Sequence, residues 1–177
     1  MPFLRIATDN RRLMPLSLHL QIYFVGEKRE AFVILVTGIL AVALSGFLLA
    51  TKDSYRGMAV PLLLIGLLEV GVGGAVFGRT NAQVATLEAD LARAPQATTR
   101  RELERMRIVM RTFAIVKIVE LVIFALGVAL TYTMRRNEFA FAAGVGCVAQ
   151  ASVILLFDLF AERRAEPYLE ALRQAVG

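Results

Sequence analysis

Residues Ala31 to Ala50 read AFVILVTGILAVALSGFLLA, with no charged residue in the run. About 20 apolar residues of helix fill the hydrocarbon core of a bilayer, so this stretch reads as a membrane span. Three further runs follow it. The second covers about 57–78 and contains Glu69, the third about 112–134 with Lys117 and Glu120, and the fourth about 139–160 with Asp158 near its end. The connections 51–56 and 135–138 are too short to hold a domain, which makes spans one and two, and spans three and four, antiparallel neighbours. The fold class expected is therefore an all-α membrane protein with four transmembrane helices.

Composition agrees. Of 177 residues 57% are hydrophobic, above the roughly 45 to 50% of soluble domains. Lys and Arg number 20 against 15 Asp and Glu, a formal charge of +5. Fifteen of the basic residues lie in segment 1–30, in the connection 79–111 and in the tail 161–177, against four in the two short connections. The positive-inside rule then places both termini and the central connection in the cytoplasm. The preference for Arg over Lys points to a GC-rich bacterial genome and hence to an inner membrane. The first span should stay in the mature chain, because about thirty mixed residues precede it and its apolar run exceeds a signal-peptide core.

The central connection extends the spans. Val84, Leu87 and Leu91, then Leu103, Met106 and Met110, recur at three and four residues, the spacing of one helix face. Pro95 lies between the two sets, and Thr99-Arg100-Arg101-Glu102 fits a capping box that would start a helix near Arg100. Helices two and three are thus expected to leave the membrane as an antiparallel hairpin, 79–111, with those six residues as its seam. The stripe runs on through Phe113, Lys117, Glu120, Phe124, Gly127 and Thr131. If helix two is its neighbour, Gly73 comes level with Lys117 and Val70 with Glu120. The expected site is a charge cluster of Glu69, Lys117 and Glu120, with Asp158 in reach of Lys117, acting as an ion relay or a structural pin. Gly71, Gly73, Gly74 and Gly78 would provide the close helix packing.

The ends are less regular. Leu16 to Ile22 alternates apolar and polar residues, which fits a strand paired with a copy or a partner. Its place beside a span fits an interfacial helix instead. In the tail, Tyr168, Leu169, Leu172 and Val176 share one face of a short amphipathic helix after Pro167.

Chemistry is sparsely signalled. One Cys, Cys147, and one His, His19, supply neither a disulfide nor the usual ligand sets of a metal centre. The GVGG after Glu69 lacks the G-K-[ST] ending of a phosphate loop. Glu102 and Glu104 interrupt the Arg-rich run 100–111, which reads as a solvated helix face beside anionic lipid, with no nucleic acid implied. The expectation is a protein that is no enzyme, carries no cofactor or metal, and has no identified small-molecule substrate. It would bind another membrane protein or copies of itself within the bilayer, for example as an immunity or accessory protein for a membrane-active toxin or transport machine. The alternative is a homo-oligomeric proton or cation pathway through the charge cluster, and an intramembrane enzyme is the last choice.

Overall fold

A computed structural model describes residues 3–51 and 54–176, with side chains from residue 16 onward. Four helices run the length of the molecule: α1 (Phe3–Ala50), α2 (Ala59–Arg93), α3 (Pro95–Thr133) and α4 (Glu138–Val176), with a short 3-10 helix, Ser54–Met58, between the first two. All four are long and apolar enough to cross a membrane. At 1.5 Å per residue, the 35 residues of α2 span about 52 Å and the 39 of α3 about 58 Å. Each helix therefore projects well beyond a hydrocarbon core of about 30 Å. The projecting parts lie together at the end that carries Pro95.

Neither reading of 16–22 stands as written. Residues 16–22 form no strand; they are helical, as the second reading expects, but as the lower part of α1, continuous with the first span and not a separate helix. Leu16, Leu20, Tyr23 and Phe24, spaced by four, three and one, are buried, while Leu18, Ile22 and Val25 are exposed. The alternation is real but incidental, because tertiary burial of a 3.6-residue face outweighs a local period of two. The tail is corrected in the same way. It continues α4 with Pro167 inside the helix, and the face carrying Tyr168, Leu169 and Leu172 is buried.

The expected hairpin becomes half of a four-helix core. Leu87, Leu103 and Met106 are buried with Leu16, Leu20, Phe24 and Tyr168, and Val84, Leu91 and Met110 pack against them. All six seam residues thus serve a core, but α1 and α4 close it, and α2 meets α3 over only a short stretch. The capping box does not form. Pro95 occupies the first turn of α3, where its missing N–H is no loss, so the helix starts a turn early. The Thr99 hydroxyl then donates back to the Pro95 carbonyl at 2.7 Å, and the neighbouring Thr98 hydroxyl donates to the Asp90 carbonyl at 3.1 Å, tying α3 to the end of α2.

Above this core, α1 packs along α2, α3 packs along α4, and α4 also rests on α1, α2 and the 3-10 helix. Glycines set both long contacts. A methyl group built on Gly73 would lie 2.7 Å from the Leu35 nitrogen of α1, and one on Gly127 would lie 2.9 Å from the Gly144 carbonyl oxygen of α4. Helix α2 sets Gly66 and Gly73 against α1, a methyl group on Gly66 lying 3.0 Å from the Ala41 Cβ, and α3 finds its own small-residue partner in α4. That is why the expected pairing of α2 with α3 in the membrane is replaced by two other pairs.

Candidate functional site

The stripe Lys117, Glu120, Gly127, Thr131 does face a neighbour, but the neighbour is α4. Lys117 pairs with Glu162 of α4 at 2.5 Å. One turn deeper, Glu120 is 4% exposed and faces Asp158 of α4. No hydrogen bond of ordinary geometry reaches either oxygen of Glu120 or Oδ2 of Asp158. The expected cluster is therefore divided. Lys117, Glu120 and Asp158 come together with Glu162, while Glu69 stands apart on α2.

Glu69 is 5% exposed and sits where α1 and α2 cross. A methyl group on Gly38 of α1 would meet its Cβ at 2.8 Å. On its other side lies Gln150 of α4. Its two oxygens and the Gln150 nitrogen make no hydrogen bond of ordinary geometry. Among the four glycines named for packing, Gly73 alone is tightly enclosed. Gly74 touches only the end of Leu35 at 3.9 Å, and Gly71 and Gly78 have open space around them. Level with Val70 and Gly73, then, lies α1 and not Lys117.

Beneath the spans a second polar set joins the helices. Arg164 of α4 binds Glu30 of α1, and its stem fills the room left by Gly26, where a methyl group would clash with it. The Tyr168 hydroxyl donates to Glu102 at 3.0 Å, and Arg105 holds the same carboxylate with two N–H groups at 2.6 and 2.8 Å. Tyr23 stacks on Tyr168 with ring centroids 5.0 Å apart. Burial, then the Glu27 carboxylate, pushes the Tyr23 phenol up to about 12. Burial and Glu102 push Tyr168 up as well. These tyrosines stay neutral donors that lock the core.

Sequence reading passed over Glu162, Glu30, Arg164, Gly38, Gly66 and Gly144. Asp158 and Glu162 are four residues apart, a same-face spacing that would have revealed the first. Gly38 and Gly66 give no such signal, since their role depends on which helices pair. Among the described residues no group of three or more His, Cys, Asp or Glu is arranged to hold a metal ion. No protein-family model, curated protein or solved structure matches this chain.

Proposed function

We propose that this is a non-enzymatic multi-pass protein of the inner (plasma) membrane, with both termini and the Pro95 turn in the cytoplasm, that works by binding another membrane protein or copies of itself. The supporting observation is the four-helix stalk at the Arg-rich end. One apolar face of each of its helices is buried in a core of its own, while Leu18, Ile22 and Val25 of α1 and Ile108 of α3 stay exposed beside the outward Arg101, Glu104 and Arg107. A rigid element outside the spans that presents apolar and charged side chains together suits docking on a protein partner, whose interface mixes both. An immunity or accessory protein for a membrane-active toxin or transport machine is one form of this reading.

Photo-crosslinking in native membranes tests it. Probes at Arg100, Glu104 and Arg107 should give a protein adduct of defined mass, while probes at the exposed Ile118 and Leu126 of α3 give lipid or a second copy. No protein adduct from any of the five positions would overturn the reading. A second reading, a proton or cation pathway, is favoured by the buried carboxylates of Glu69 and Glu120. Intramembrane ionisable residues are costly and are functional candidates by default.

A further inference from the structure

The partner-binding reading leaves Glu120 and Asp158 without a task. Glu120 is 4% exposed, no N–H or hydroxyl donor reaches its oxygens or Oδ2 of Asp158, and the two carboxyl groups face each other. The charged groups around them come from three helices. Lys117 lies on α3 itself, Glu162 shares α4 with Asp158, and Glu30 approaches from α1. Both nearby cations are committed elsewhere, Lys117 to Glu162 and Arg164 to Glu30. Two carboxyl groups held together away from water, with no free cation, do not both ionise; the pair keeps a proton between them.

We infer that Glu120 and Asp158 form a proton-binding site in the spanning half of the bundle, with the Lys117–Glu162 pair as its gate to water at the Arg-rich end. The gate side chains are 26% and 21% exposed at the surface of the bundle, and the charges of both reach Asp158. On release, the acid O–H bond breaks and the proton passes to the Glu162 carboxylate. Glu162, now neutral, frees Lys117, and the ammonium group turns toward the two carboxylates. Glu162 then yields the proton to water. Loading reverses these moves, so proton occupancy is coupled to which residue Lys117 holds.

Infrared spectra of purified protein in phosphatidylcholine liposomes at neutral pH, in H2O and D2O, test this on the wild type and on the variants E69Q, E120Q and D158N. The wild type should show a deuterium-sensitive carboxylic acid C=O band. One carboxyl's share of it should be missing from E120Q and from D158N but retained in E69Q. A wild type without the band, or a band unchanged in both E120Q and D158N, overturns the site. Loss in only one of the two overturns the shared pair and assigns the proton to a single carboxyl. Circular dichroism first establishes that each variant is folded. If E120Q or D158N does not fold, wild type carrying carboxyl-13C aspartate or glutamate answers instead, and a band that shifts with neither label refutes the proposal.

Discussion

Lys117 of α3 and Glu162 of α4, 45 positions apart in the chain, meet at 2.5 Å. This contact, with Gly127 against Gly144, fixes α3 on α4. Both side chains are partly exposed, which places the pair between an exposed one worth under about 1 kcal/mol and a buried one whose breaking costs about 3 to 5 kcal/mol. Lys117→Met should therefore destabilise the protein by about 2 kcal/mol, read as a lower denaturant midpoint in mixed micelles. Adding Glu162→Gln should recover part of that loss, because the second change removes the stranded carboxylate. A double variant no better than the single one would show that the pair is not the cause.

The glycines divide into two kinds. Gly73 lies against the backbone of α1 at Ala31 and Leu35, whereas nothing approaches Gly71 or Gly78 within 4 Å. Gly73→Leu should force α1 and α2 apart and lower thermal stability by several degrees. Gly71→Ala and Gly78→Ala should be neutral or stabilising by up to about 1 kcal/mol, the usual gain of Ala over Gly inside a helix. Equal loss at all three positions would contradict the packing described.

A pH effect follows from Tyr23 and Tyr168. Each phenol is held above its ordinary value in the folded chain, Tyr23 at about 12, first by burial and next by a nearby carboxylate. The folded state therefore keeps these protons more tightly than the unfolded state. Their contribution is complete below the unfolded value of about 10, and it falls as pH rises through 10 toward 12. Melting temperature should drop over that window in the wild type. In a Tyr23→Phe, Tyr168→Phe double variant the drop should be shallower, from a lower starting point, since the hydrogen bond of Tyr168 to Glu102 is gone.

Much of this architecture is legible in the residues. Span positions follow from apolar length, which depends on no neighbour, and the seam from Val84 to Met110 follows from a period of 3.6. Partner choice is less local. The stripe through Lys117 and Gly127 correctly marks a packed face, yet nothing in α3 alone says whether α2 or α4 covers it. The decision rests on Gly144 and Glu162, which gain meaning only once α4 is seen as one unbroken helix to Val176. Likewise the alternation at 16–22 misleads because Leu16 and Leu20 answer to Leu87 and Tyr168, far along the chain.

The two functional readings separate on whether protons cross the membrane. Glu30, Asp158, Glu120 and Glu69 step inward from the Arg-rich end, but beyond Gln150 the bundle tightens. The Ser45 hydroxyl is fully buried and donates to the Ala59 carbonyl at 2.8 Å. A methyl group on Gly57 would collide with the Phe139 carbonyl, and one on Gly146 would sit 2.7 Å from Pro61. These close contacts pack the helices tightly beyond Glu69, which argues against an onward water chain within one protomer. Liposomes carrying the wild type should show no proton flux above empty liposomes under an imposed pH gradient. Glu69→Gln and Lys117→Met should leave that baseline unchanged. Flux in the wild type that both variants lose would instead make the carboxylates a conducting path, and the partner-binding reading would give way to a channel assembled between protomers.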